Sequence, residues 1–166
     1  ELMCETGRVS IPLLEAGRAM TCVDYSKGML ESFTKKIKDK DYRVNLVEMD
    51  VTRLNLNRTF GLAILPFHSI TEILSAELQK EALRAISAHL YQGGIFILTL
   101  QNPEVRLKTA DGKLRTIGEF EAGENKRIVI SSMNRYLPAE KIVSGFQSYE
   151  IYDSANNLTG KRVLEI

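Results

Sequence analysis

Apolar residues recur with two different periods along the 166 residues, and the change falls near residue 103. Before that point, short apolar runs alternate with stretches of helical spacing. "ELMCETG" (1–7) reads as the end of a strand running into a turn, and the run after it is helix-like as far as Gly17. "AMTCVD" (19–24) reads as a short buried strand. In the stretch beginning at Ser26, Leu30, Phe33 and Ile37 fall on one helical face with lysines elsewhere, and Ser26 is a suitable N-cap. "YRVNLVEMD" alternates and predicts a strand from Tyr42 to Met49; "FGLAILPF" predicts another. "SITEILSAELQKEALRAISAHLYQGG" predicts one long helix, with Leu78, Ala82, Ala85, Ile86 and His89 on a single face and Gly93-Gly94 as its stop. "IFILTL" (95–100) is an unbroken apolar run, the pattern of a strand covered on both faces.

Strands alternating with helices imply a doubly wound, mostly parallel α/β sheet with right-handed crossovers. Past Asn102-Pro103 the period becomes two. "LRTIGEFE", "NKRIVISSMNRY", "EKIVSGFQSYEIYD" and "GKRVLEI" read as strands, separated by turns at "EAGEN", "LPAE" and "DSANNLTG", with no helical period among them. The expected organisation is therefore an α/β core over 1–103 and an appended antiparallel β-meander over 104–166. In the meander Ile128, Ile130 and Tyr136 oppose Arg127, Ser131 and Arg135, so one face needs cover. Packing as a lid over the core is one way to cover it. Self-association as a homodimer, through the edge at Gly160 to Ile166, is another.

Charge adds little to this picture. Lys plus Arg is 22 and Asp plus Glu is 21, a net +1 that gives no general pull toward nucleic acid or acidic membranes. No apolar run is long enough to span a bilayer. Cys4 and Cys22 are not spaced as a metal or redox pair, and without a secretory signal they fit a reducing, cytoplasmic setting as small buried fillers. No metal is expected.

The candidate chemistry lies at the strand ends, where doubly wound sheets bind their ligands. Those ends carry Glu1 to Gly7, Asp24-Tyr25, Asp50-Val51 and Pro66-Phe67-His68-Ser69. A dinucleotide pyrophosphate calls for a turn with several glycines. This turn has only Gly7, with a carboxylate at Glu5 that would repel a pyrophosphate. S-adenosylmethionine suits the residues better: it has a ribose and an adenine, an ammonium and a cationic sulfonium, and no phosphate. Glu1 can meet the ammonium, Asp24 the ribose hydroxyls and Asp50 the adenine amine, with Tyr25 and Met29 on either side of the ring.

These pieces, in this order, resemble class I S-adenosylmethionine-dependent methyltransferases of the small-molecule type. The family's first motif usually reads acid-Leu-Gly-Cys-Gly-Thr-Gly-Arg, and here it stands as Glu1-Leu2-Met3-Cys4-Glu5-Thr6-Gly7-Arg8. "VDYSKGMLE", "VEMDVTRL", "FGLAILPFHSITEI" and "ALRAISAHLYQGGIFILTLQNP" match the family's later segments, and the likeness covers 1–103. The resemblance implies a Rossmann-like core with S-adenosylmethionine as cofactor. It implies cofactor contacts from Glu1, Cys4, Glu5, Thr6, Gly7 and Arg8 in the first motif. Further contacts are implied from Asp24, Tyr25, Met29, Asp50, Val51 and Leu65. An antiparallel insertion after the fifth strand occurs in some small members. Met3 and Glu5 depart from the pattern by replacing glycine. The resemblance also implies flanking segments beyond both ends of the 166 residues.

The reaction implied is methyl transfer to a nucleophile on a small-molecule acceptor, with no nucleic acid or membrane partner. His68 is the candidate general base, with a hydrogen-bonded pocket wall as its plainer role. The rival reading is a non-catalytic module in which Glu5 spoils the cofactor site and the meander serves oligomerisation or partner binding.

Overall fold

Two parallel strand pairs, joined through the first four residues, make the sheet of residues 1–100 in a computed structural model. It describes residues 1–123 and 125–166. Strand β1 (Met20–Asp24) pairs with β2 (Val44–Glu48), and β3 (Phe60–Leu65) pairs with β4 (Leu90–Leu98), both in parallel. Residues 1–4 lie between the pairs. Leu2 N–H donates to Ile64 O at 3.0 Å on one side. On the other side Val23 N–H donates to Glu1 O at 2.9 Å and Cys4 N–H to Val23 O at 3.0 Å.

Both faces of this sheet are covered near its centre, as the alternating pattern predicts. Cys22 enters a cluster with Leu14, Leu30, Phe33 and Ile37, from α1 (Ser10–Glu15) and α2 (Lys27–Ile37). Its neighbour Val23 enters the opposite cluster with Val51, Leu65, Ala82 and Ile86, the last two from α3 (Ala76–Ala88). Leu2 and Cys4 also go to opposite clusters although they are two apart, a spacing that shares a face in a regular strand. Met3 between them is left-handed, with φ 51°, and this turns the chain over.

Several expected boundaries shift. The strand predicted over Tyr42–Met49 shortens to Val44–Glu48. The single helix expected from Ser69 is two pieces: a 3₁₀ turn at Ser69–Glu72, and α3, which starts where Ser75 caps Leu78 N–H. A hydroxyl that competes for backbone donors favours a new helix start over continuation. Gly93 and Gly94 do not stop α3, which ends at Ala88. They lie within β4, where the register jumps from Phe60↔Leu90 to Leu62↔Ile95 and Gly93 takes φ 84°, a conformation suited to glycine. Nor is β4 covered on both faces: Phe96 and Leu98 pack on the cluster under α3, whereas Ile95 and Ile97, on the other face, are 61% and 48% exposed.

Residues 101–166 form a unit of their own. It opens with a helix, α4 (Pro103–Thr109), where no helix was expected. Asn102 caps it by accepting from Glu104 N–H at 2.9 Å, and Pro103 fits the first helical position. A four-stranded antiparallel meander comes next: β5 (Arg115–Ala122), β6 (Lys126–Leu137), β7 (Ile142–Tyr152) and β8 (Leu158–Glu165), paired in chain order. Of the predicted "EAGEN" turn, Glu124 lies outside the described residues. The turn before β8 is closed by Asp153, whose carboxylate accepts from Ala155 and Asn157 N–H at 3.0 and 2.8 Å. These donors hold it below the ordinary aspartate range. Among the described residues no helix is long and apolar enough to cross a membrane.

Candidate functional site

The carboxyl ends of residues 1–4, β1, β2 and β3 meet on one side of the first sheet. Asp24 is the hinge of this group. It is 5% exposed, and its two oxygens accept from Glu5 N–H at 2.7 Å and Ser26 N–H at 2.8 Å. One carboxylate at the end of β1 thus holds both the first turn and the start of α2. A carboxylate has about four acceptor sites, so Asp24 retains capacity for a ligand's hydroxyls.

The first turn keeps a glycine-like path without the glycines. Met3 and Glu5 sit at φ 51° and 50°, values that residues with a Cβ reach at a cost, and Gly7 at φ 84°. Gly7 lies over the Phe33 ring, and its carbonyl accepts Ile11 N–H at 2.9 Å at the start of α1. The Glu5 carboxylate turns outward to Arg8 at 3.5 Å. The Arg8 guanidinium also lies 3.7 Å from the centre of the Phe67 ring, a cation–π contact. Thr6 is tied down from α2, with Lys36 Nζ donating to its hydroxyl at 2.6 Å and its carbonyl at 3.0 Å.

Glu1 is half-buried and accepts from Ser10 Oγ of α1. Burial pushes its carboxyl above the ordinary glutamate value, against the hydrogen bond from Ser10. Ser10 also lies 3.0 Å from Cys22 Sγ, so Glu1 extends a buried polar chain rather than standing free. Cys4 is 2% exposed, and the neighbouring Cys22 and burial together raise its thiol well above the ordinary range. That suits a packing residue and not a nucleophile.

The remaining predicted residues divide by exposure. Tyr25 is 73% and Met29 42% exposed, so neither covers α2 as core, and both are free to meet a ligand. Asp50 caps the short 3₁₀ turn at Val51–Arg53, accepting from Thr52 N–H and Oγ1 at 2.8 Å each. Val51 and Leu65 are buried in the core, so their side chains shape the floor and only their backbones could touch a ligand.

Sequence reasoning missed how His68 is held. Phe67 and His68 are consecutive left-handed residues at φ 55° and 64°, an uncommon pair for side chains of this size. His68 Nδ1 is buried and has no hydrogen-bond partner among the described residues. Such an orphan is unusual among buried polar atoms. His89 is different: its Nε2 accepts from Leu56 N–H at 2.9 Å and its Nδ1 lies 2.7 Å from Ala85 O, a purely structural role.

Known proteins share this fold. The methyltransferase domain family matches residues 1–94. The chain is 29% identical over 131 residues to the cypemycin N-terminal methyltransferase of Streptomyces sp, covering 79% of this chain and 52% of that protein. Two solved structures have the same fold. One is an S-adenosylmethionine-dependent methyltransferase from Clostridium acetobutylicum, 24% identical with a TM-score of 0.78, covering 99% of this chain and 63% of that one. The other is DesVI of Streptomyces venezuelae, 18% identical with a TM-score of 0.79, covering 99% and 64%. The chain thus spans about half to two thirds of the length of these relatives. Its first 94 residues, more than half of its length, place it in the methyltransferase domain family.

Proposed function

We propose that this chain binds S-adenosylmethionine at the carboxyl ends of its parallel strands and belongs to an enzyme that methylates a small molecule. The observation that carries this reading is the first turn. It keeps a glycine-like path with one glycine, is held by Asp24 through Glu5 N–H, and has acids around it where a pyrophosphate site needs donors. The donor set fits the cofactor. Asp24 takes the ribose diol, Glu1 lies on the ammonium side, Asp50 accepts from the adenine amine, and the exposed Tyr25 and Met29 cover the ring. When bound, the cofactor supplies a methyl group activated by a sulfonium.

What the chain's own residues contribute is placement and exclusion of water. Asp24 and Lys36 fix the turn before any ligand arrives, so little order is lost on binding. His68, with its unpartnered Nδ1, is the group placed to take the proton that leaves a hydroxyl or amine acceptor as the new bond to carbon forms. The relatives include the cypemycin N-terminal methyltransferase and the sugar N-methyltransferase KedS8, which favours a nitrogen acceptor.

Titration calorimetry tests the reading. S-adenosylhomocysteine should give saturable heat, and NAD none. Saturable NAD binding with no response to S-adenosylhomocysteine would overturn it.

Glu5 decides whether the site is impaired. Glu5→Gly removes a left-handed cost of roughly 1–2 kcal/mol and loses an exposed pair with Arg8 worth about 0–1 kcal/mol. Greater freedom of glycine in the unfolded chain offsets roughly 0.5–1 kcal/mol more. Stability should therefore change by less than about 1 kcal/mol. S-adenosylhomocysteine should bind several-fold more tightly, because a Cβ and a nearby negative charge are removed from beside the ligand's carboxylate. Markedly weaker binding by the variant would show that Glu5 holds the ammonium.

A further inference from the structure

We infer that the antiparallel unit carries a second site of its own, for a phosphate or diphosphate group. A concavity of about 410 Å³ opens between α4 and the β5–β7 face, and Arg106, Lys108, Lys113 and Arg115 all line it. Chain-wide charge is nearly balanced, so four cations around one hollow is a local concentration. Arg115 is already neutralised: its two Nη groups donate to Asp111 at 2.7 and 2.6 Å. Asp111 in turn is held far below the usual carboxylate range by that fork. Lys113 lies in the field of Asp111, while Arg106 and Lys108 have no ion-pair partner among the described residues, which leaves two positive charges on the rim that no carboxylate offsets.

The floor of the hollow offers donors. Ser132 Oγ accepts from Asn134 Nδ2 at 3.2 Å, which leaves its own hydrogen to give. Gln147 Oε1 accepts from Tyr149 OH at 2.8 Å, which leaves its amide N–H groups. Cations on the rim and the Ser132 and Gln147 donors on the floor suit an oxyanion, with Asn134 Oδ1 beside them an acceptor that has no partner among the described residues. A single carboxylate would neutralise one of these two charges; a phosphate monoester or a diphosphate neutralises both. The hollow is of small-molecule size. The loop that carries Lys113 is fixed to β6, with Gly112 N–H on Asn134 O at 2.8 Å and Tyr136 N–H on Ala110 O at 3.2 Å, so its backbone is in place beforehand.

This site stands apart from the methyl-transfer reading, and it is tested without that cofactor. The protein is titrated with inorganic pyrophosphate, with phenyl phosphate and with acetate, by calorimetry and by amide chemical shifts. Pyrophosphate should bind saturably, with shift changes centred on 106–117, Ser132 and Gln147, and acetate should not. Arg106→Ala and Lys108→Glu should each weaken binding about tenfold or more. Lys161→Ala, which removes a cation paired to Glu150 on a neighbouring strand, should leave it unchanged. Saturation by phenyl phosphate as well would assign the site to an esterified group, and saturation by pyrophosphate alone to the free diphosphate; either supports the site. No saturable binding, shifts centred elsewhere in the wild-type protein, or equal weakening by Lys161→Ala would overturn it.

Discussion

Gly7→Ala should lower the melting temperature by several degrees and weaken S-adenosylhomocysteine binding, while Gly28→Ala should raise the melting temperature. At Gly7 a Cβ would stand 2.6 Å from two carbons of the Phe33 ring and 2.8 Å from a third. Phe33 is fully buried among Cys4, Cys22, Leu14 and Leu30, so the ring has nowhere to go. The substitution also forces alanine to φ 84°. A left-handed residue costs roughly 1–2 kcal/mol, and overpacking a core adds about 1–3 kcal/mol. Together they predict a loss of about 2–5 kcal/mol, on the order of ten degrees for a domain of this size. Relief by moving Gly7 away from α2 would disturb the Ile11 N–H bond that opens α1 and the turn itself. Gly28 supplies the control. It lies inside α2, and a methyl group added there would meet nothing within 4 Å, so alanine gains about 0.5–1 kcal/mol of helix stability. Equal melting temperatures for Gly7→Ala and the parent protein would show that the Gly7–Phe33 contact does not limit the turn.

Those two glycines show which features can be read from a sequence. Local chemistry was legible. Ser26 caps α2 because a hydroxyl before a periodic run satisfies a helix donor, and Met29 N–H is the donor it takes. The four strands of the meander arise from period-two alternation and turn residues alone. Helix α4 was missed because Asn102-Pro103 reads equally well as a turn and as a cap with proline at the first helical position. The helix packs beside β6, a contact distant in sequence. The left-handed Met3, Glu5, Phe67 and His68 were hidden for a related reason. Residue type argues against such a conformation, and only partners elsewhere in the chain, such as the Asp24 carboxylate on Glu5 N–H, impose it. The basic hollow was equally invisible: Ser132 and Gln147 share its floor because β6 and β7 pair, and spacing along the chain carries no trace of that. The acids at the strand ends were legible as positions. Their present partners were not, since Ser10 for Glu1 and Thr52 for Asp50 depend on how α1 and the 3₁₀ turn pack.

Asp24 is where structure and ligand compete for one side chain, and its removal should have the second large effect. Asp24→Ala leaves Glu5 N–H and Ser26 N–H without acceptors in a place where Asp24 itself is 5% exposed. Each stranded buried donor costs about 1–3 kcal/mol, and water entering the gap recovers part of it, so a stability loss of about 2–4 kcal/mol is expected. Loss of binding then has two causes, a loosened turn and a missing ribose contact. Asp24→Asn separates them. The amide keeps one acceptor oxygen for a backbone donor and the shape of the original group, so stability should fall by about half as much as in the alanine variant. Its NH2 group cannot accept, so one of the two ribose hydroxyls loses its partner and the charge assistance goes with it. Read by calorimetry well below the melting temperature of each variant, S-adenosylhomocysteine affinity should drop about tenfold or more in Asp24→Asn. It should drop further, by roughly 2–4 kcal/mol in all, in Asp24→Ala. If folded Asp24→Asn binds as tightly as the parent protein, Asp24 serves only to hold the turn, and the ribose diol is bound elsewhere.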